Sequence, residues 1–208
     1  GNYYKKHYQC YSNLEKGFFY SSPGAKDCFG ISKYPAQSAS LDLEKQGQGV
    51  ILTSGHLGNW EVAAQVISFL KPVVGLTRNM NNPYTDRLMK KRKPRNRFRI
   101  EPKYDKSTDR LLATIGNGEV LAIMIDQHGK ARGMPMPFMG RLASTHTSPA
   151  LLHLVTRAPL FFGTCVRTGP LSYELTATEP ISITPTGNRK SDVKAVLEIL
   201  NRRLEDAI

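Results

Sequence analysis

The sequence predicts an α/β fold, with a largely parallel central sheet flanked by helices. Short apolar runs that suit buried strands alternate with segments whose apolar residues recur at helical spacing. Polar clusters rich in Gly, Asn and Asp separate these segments. Strands that alternate with helices are typical of parallel sheets, and such sheets bind ligands beyond the carboxyl ends of their strands. The 208 residues are enough for a single domain, which we divide into a lead-in at 1–46 and a core at 47–208.

The first core element is predicted to be a buried strand at Val50–Leu52, followed by a turn and a helix at Trp60–Leu70. Asn59 is the expected N-cap of this helix, and Glu61 falls in its first turn. If residues 56–61 were all helical, the side chains of His56 and Glu61 would point about 140° apart. We therefore expect His56 to lie in the turn, before the helix begins.

His56 and Glu61 suit general-base chemistry in this arrangement. A carboxylate that turns back to the imidazole fixes its tautomer and stabilises the imidazolium. The alternative is a structural pair, because a histidine and a glutamate at a helix start also occur as a cap or a salt bridge.

The rest of the chain continues the alternation of strands and helices. Further strands are predicted at 73–77, 98–100, 119–125, 160–166 and 173–178. Further helices are predicted at 41–45, 84–92, 108–115, over about ten residues ending at 154, and from 191 onward. Residues 21–40 and the Gly-, Met- and Pro-rich segment through 137–141 are predicted loops, with Thr145 in a helix cap. The aromatic residues of segment 1–20 suit a helix that lies at a membrane interface or packs on the core.

Three polar residues directly follow predicted strands: His56, Arg78 and Asp126. The carboxyl ends of parallel strands meet at one edge of a sheet, so we expect all three at the same crevice.

The net charge of +12 predicts an anionic partner, such as nucleic acid, an acidic membrane surface, a phosphorylated substrate or an acidic carrier protein. Eight basic residues and no acidic one lie between Arg87 and Arg99. This run suits a phosphate-facing surface, although a solvated face is the simpler interpretation. Three widely spaced cysteines do not form a disulfide framework, which favours a reducing compartment. The sequence shows neither an apolar run long enough to span a membrane nor a signal peptide.

Two other chemistries fit the residues less well. His56, Glu61, Asp126 and His128 could ligate a metal, but the sequence has no His-x-x-x-His pair and no cysteine cluster. Ser54 is not part of a Gly-x-Ser-x-Gly elbow, which argues against a serine nucleophile. A base that activates a hydroxyl or amine of the substrate remains.

Four segments, in order, resemble the bacterial lipid A biosynthesis acyltransferases, the late lauroyl and myristoyl transferases. The resemblance runs from about residue 47 to the C-terminus and implies a glycerolipid acyltransferase-like fold. The segments are Gly55-His-Leu-Gly-Asn-Trp-Glu61, Arg78 through Asn81-Asn-Pro83, Asp126-Gln-His-Gly129 and Pro137-Phe-Met-Gly-Arg-Leu-Ala-Ser-Thr-His-Thr147.

The resemblance implies transfer of an acyl chain from an acyl-carrier-protein or acyl-CoA thioester to a hydroxyl of a lipid A precursor. His56, oriented by Glu61 in the family's His-x4-Glu pattern, would be the base, with no metal and no cofactor. The resemblance also implies the cytoplasmic face of the inner membrane, reached peripherally or through an anchor outside this chain, and no nucleic acid. Another glycolipid, such as a mannosylated phosphatidylinositol, or a lysophospholipid is an alternative acceptor. A non-catalytic basic module that binds membrane or nucleic acid is the alternative from another class.

Carried over by position, Asp126 matches an important acid of the family, although a turn cap is its structural alternative. Arg92 is the nearest match to the family's arginine in the basic helix. This chain is about one residue short there, so Arg95 is the other candidate. The remaining binding residues implied by the resemblance are Arg78, Asn82 and Arg141.

Overall fold

The computed structural model describes residues 48–77, 82–84, 97–102, 107–169 and 172–208. The elements predicted within residues 1–45 lie outside this description, as does the predicted helix beyond Tyr84. None of the described helices is both long enough and apolar enough to cross a membrane.

Eight strands and four α-helices make up the described part of the chain. The strands are β1 Val50–Ser54, β2 Val73–Thr77, β3 Phe98–Pro102, β4 Val120–Met124, β5 Gly133–Phe138, β6 Arg141–His146, β7 Leu160–Gly169 and β8 Ser172–Ala177. The helices are α1 Trp60–Leu70, α2 Ser107–Gly116, α3 Ser148–Thr156 and α4 Arg189–Glu205. Six strands form one sheet in the order β3-β2-β4-β1-β7-β8, and every neighbouring pair is parallel except β7 and β8. The predicted α/β class, the largely parallel sheet and the predicted strands of that sheet are thereby confirmed.

The sheet is covered on both faces, as its continuous apolar strands require. Val50 and Leu52 pack with Ala64 of α1 on one face. Ile51, which points to the other face, is fully buried in a larger core that includes apolar residues of α2, α3 and α4. Helix α1 therefore has one face of the sheet, and the other three helices share the opposite face.

Pairing between β1 and β4 determines what meets at the carboxyl edge of the sheet. The two strands are adjacent and parallel, and Ser54 is paired with Met124. His56 and Asp126 each lie two residues beyond this last pair, so the register brings them to the same place.

The predicted loop around residues 137–141 is wrong, because β5 and β6 form an antiparallel hairpin. Phe138 pairs with Arg141 across the two-residue turn Met139-Gly140, in which both residues have positive φ. Thr145, predicted as a helix cap, instead lies in β6 and is paired with Met134. The residue that precedes α3 is Thr147, whose side chain makes no capping hydrogen bond.

Candidate active site

The turn that carries His56 ends in a well-defined helix start. Asn59 is the N-cap of α1, and its Oδ1 accepts a hydrogen bond from the N–H of Val62 at 3.0 Å. The N–H of Asn59 donates to the carbonyl oxygen of Cys165 in β7 at 2.8 Å. The predicted N-cap, and the position of His56 before the helix, are therefore confirmed, and the turn is fixed to the neighbouring strand.

Gly58 allows this close approach to β7. It has a φ of +75°, and a Cβ added there would lie 2.0 Å from the carbonyl oxygen of Cys165. Only glycine fits a left-handed backbone so near to another strand.

The carboxylate of Asp126 holds His56 through both its backbone and its ring. Nδ1 of His56 lies 2.8 Å from Oδ1 and 3.0 Å from Oδ2 of Asp126, and the backbone N–H of His56 donates to Oδ2 at 2.7 Å. Two separate hydrogen-bonding groups of one residue thus share a single carboxylate. Both side chains remain partly exposed, at 44% for His56 and 26% for Asp126, so a substrate can reach them.

This contact determines the tautomer of the neutral ring. A carboxylate only accepts hydrogen bonds, so the proton of neutral His56 lies on Nδ1 and the lone pair on Nε2. Nε2 makes no hydrogen bond to any residue in the described part of the chain. The ring therefore offers a base whose orientation is fixed from behind.

Glu61 lies in the first turn of α1, as expected, two positions after the N-cap, and is half-buried. The hydrogen bonds to His56 described above come from Asp126, so the role of Glu61 as the orienting carboxylate stays a prediction.

The last turn of α4 packs behind the same site. A Cβ added at Gly55 would lie 2.8 Å from Cδ1 of Leu204, which shows how closely this helix approaches the residue before His56. The predicted C-terminal helix thus supports the turn that carries His56.

The predicted binding residues have different outcomes. Arg78, Arg92 and Arg95 lie outside the described residues. The Oδ1 atom of Asn82, an exposed residue, accepts a hydrogen bond from the N–H of Tyr84 at 2.9 Å. Arg141 is exposed at the start of β6, next to the hairpin turn.

Within the basic run, the structure describes Arg97 and Arg99. Nη1 of Arg99 donates to Oε1 of Glu119 at 2.6 Å, and its Nη2 donates to Oε2 of the same carboxylate. The hydrogen bond to Glu119 raises the pKa of Arg99 above its ordinary value. At least one basic residue of the run is therefore engaged within the protein.

Among the residues that the structure describes, no group of three or more His, Cys, Asp and Glu side chains is arranged to hold a metal ion. The Oγ of Ser54 donates to the carbonyl oxygen of Gly55 at 3.1 Å.

Sequence reasoning placed His56 and Asp126 at one crevice but did not predict their hydrogen bonds. The residues are 70 positions apart, and their contact depends on β1 and β4 being neighbours. The signal in the sequence was that each residue follows an apolar strand.

Comparison with known families gives one match over most of the chain. Residues 40–208 match the family described as bacterial lipid A biosynthesis acyltransferase. No curated protein matches the chain.

Proposed function

We propose that this chain transfers a fatty acyl group from a thioester to a hydroxyl of a lipid A precursor. The chain belongs to the bacterial lipid A biosynthesis acyltransferase family. The donor is an acyl-carrier protein or acyl-CoA. The observation that carries this proposal is the hydrogen bonding of His56 to Asp126, which leaves Nε2 available to a substrate.

His56 acts as the general base. Its Nε2 takes the proton of the acceptor hydroxyl while the hydroxyl oxygen attacks the thioester carbonyl carbon. A C–O bond forms, the tetrahedral intermediate collapses, and the C–S bond breaks. The imidazolium returns its proton to the leaving sulfur, so the products are an ester and a free thiol.

Two carboxylates support this proton transfer. Asp126 holds Nδ1 and stabilises the positive charge that develops on the ring. Glu61, in the first turn of α1, adds negative charge near the same turn. In the family pattern quoted above, the pair His56 and Glu61 forms the reacting centre, and we retain it with Asp126 as a third member.

Arg78, Asn82 and Arg141, together with Arg92 or Arg95, are proposed to bind the anionic acceptor, since arginine matches phosphate geometry well. The protein then acts at the cytoplasmic face of the inner membrane, where a cytosolic donor meets a lipid acceptor.

The test is an assay of the purified protein with a panel of acyl donors and tetra-acylated lipid A precursors. We expect acyl transfer by the native protein and none by His56→Ala or Glu61→Ala, with both variants folded by circular dichroism. Near-normal turnover in both variants would show that acyl transfer does not need His56 as a base or Glu61 as its partner. A product formed only with a lysophospholipid or a mannosylated phosphatidylinositol would identify that lipid, in place of a lipid A precursor, as the acceptor.

A further inference from the structure

We propose that the turn between β5 and β6 is the surface through which this protein inserts into an anionic lipid bilayer beside His56. This hairpin tip consists of Met139, Gly140, Arg141 and Leu142. The inference rests on the proposed function only for the lipid nature of the acceptor.

The hairpin tip exposes two large apolar side chains that are three positions apart in the sequence. Leu142 is 78% exposed and Met139 is 56% exposed, while Met136 in the same hairpin is fully buried. Single exposed apolar residues are ordinary, but two at one turn form a small exposed apolar surface. Arg141 lies between them in the sequence and is also exposed.

Met139 has a backbone conformation that is unfavourable for a residue with a side chain. Its φ is +49° and that of Gly140 is +74°, as in a two-residue turn that normally favours Asn or Gly at the first position. A methionine there is unfavourable for the backbone, and its side chain stays mostly exposed. A contact outside the chain gives this side chain a role.

Hydrogen bonds to α4 hold the hairpin in place. Nδ2 of Asn201 donates to the carbonyl oxygen of Pro137 at 3.0 Å and to Oγ1 of Thr145 at 3.1 Å. The N–H of Met139 donates to Oε1 of Glu205. The exposed tip is therefore carried by a fixed element.

The same helix end places the tip beside the catalytic turn. Leu204 packs against Gly55, the residue before His56, and the next residue of α4, Glu205, binds Met139. Neighbouring positions of one helix thus contact the catalytic turn and the hairpin tip. A membrane touched by the tip lies next to the base.

The charge of the chain segment that forms the hairpin favours an anionic bilayer, and the carboxylate of Glu205, which contacts the tip, is held by the N–H of Met139. The sequence contains no Asp or Glu from Gln127 to Tyr173, and five Lys or Arg residues lie in that stretch. Of these, Lys130, Arg132 and Arg141 are exposed at the base and tip of the hairpin. Cations beside shallow apolar side chains suit anionic head groups above acyl chains. A carrier protein would need about 800 Å² of its partner's surface, far more than two side chains offer.

The experiment measures sedimentation of the full chain with vesicles of equal parts phosphatidylglycerol and phosphatidylethanolamine. The variant is Met139→Ser/Leu142→Ser, and the matched control is Val155→Ser. Val155 is 63% exposed near the end of α3, just before β7 begins. It therefore lies at the amino ends of the parallel strands, opposite the carboxyl ends that carry His56. All substituted side chains are exposed, so the fold is expected to stay intact.

We expect the tip variant to bind the vesicles at least about tenfold more weakly than the native protein, because burial of two apolar side chains is lost. The control should stay within about twofold. Equal binding of the tip variant and the native protein, or no binding by the native protein, would overturn the inference. Lost transfer from an acyl-carrier protein with unchanged vesicle binding would assign the tip to the carrier instead.

These outcomes are separate from those of the acyltransferase assay, since vesicle binding is measured without turnover. If His56→Ala retained turnover while the tip variant lost vesicle binding, the proposed mechanism would fail and the membrane surface would stand.

Discussion

Nδ1 of His56 lies 2.8 Å from Oδ1 of Asp126, and the second carboxylate oxygen accepts the backbone N–H of His56 at 2.7 Å. One carboxylate thereby fixes both the ring and the chain that carries it. A substitution at Asp126 should disturb the orientation of the base more than the stability of the fold, because both residues are exposed.

Asp126→Asn tests this relationship. The amide keeps the size of the side chain but can donate to Nδ1, which favours the tautomer with its proton on Nε2 and removes the base. We expect kcat for acyl transfer to fall by about 100-fold or more with little change in KM. The control is Asp109→Asn, an exposed acid in the first turn of α2. Equal loss of kcat in both variants would contradict the positioning role of Asp126.

A pair of glycines with the same φ separates close packing from backbone strain. Gly58 and Gly140 have φ values of +75° and +74°, but only Gly58 faces a neighbouring strand. Gly140→Ala should destabilise the protein by about 1 to 2 kcal/mol through the left-handed backbone alone. Gly58→Ala should cost about 1 to 3 kcal/mol more, because its Cβ would meet the carbonyl of Cys165.

Urea unfolding of these two alanine variants measures the difference. Activity gives a second readout, since the displaced turn carries His56 and Gly58→Ala should impair acyl transfer more than Gly140→Ala. Equal free energies of unfolding would show that β7 yields to the added methyl group.

The sheet was readable from the sequence, whereas the hairpin was not. Strands β1, β2 and β4 are short apolar runs that end in polar turns. Helices cover both faces of these strands, so almost all of their residues are apolar and the strands are easy to recognise. The hairpin contains Pro135 and Pro137, which normally argue against a strand. These prolines occupy alternate positions in β5 and face Ser144 and Leu142, where their missing N–H groups need not join the ladder.

The contact between His56 and Asp126 was only half predictable for a similar reason. Each residue's place after a strand is a local property of the sequence, but the order of strands is not. Because α1, β2, β3 and α2 intervene in the chain between β1 and β4, nothing local states that these strands are neighbours. Long-range packing makes them adjacent.

Thr145 tests how the hairpin is attached to α4. Its buried Oγ1 accepts a hydrogen bond from Nδ2 of Asn201 at 3.1 Å. Thr145→Val preserves the shape but leaves one amide proton of Asn201 without this acceptor, and should cost about 1 to 3 kcal/mol in the free energy of unfolding. Thr184→Val, at an exposed position, is the control and should change it by less than about 0.5 kcal/mol. A neutral result at Thr145 would mean that this polar contact adds nothing to docking of the hairpin.

Asp192 predicts how stability depends on pH. Its Oδ1 accepts hydrogen bonds from the N–H of Thr186 at 2.8 Å and from the hydroxyl of Thr186 at 2.7 Å. These bonds lower the pKa of Asp192 from its ordinary value. A carboxyl whose pKa is lower in the folded protein contributes stability above its unfolded pKa, about 3.9. That contribution is lost as the pH falls through the folded pKa.

Asp192→Asn should therefore be less stable than the native protein near neutral pH, and the difference should shrink as the pH falls below about 4. Urea unfolding of both proteins across this range measures the two curves, with Asp109→Asn as the control at another helix start. The difference shrinks in acid because protonated Asp192 no longer accepts both hydrogen bonds as a charged group. Parallel curves at every pH would show that the charge of Asp192 does not contribute, and that the packing of α4 alone sets its start.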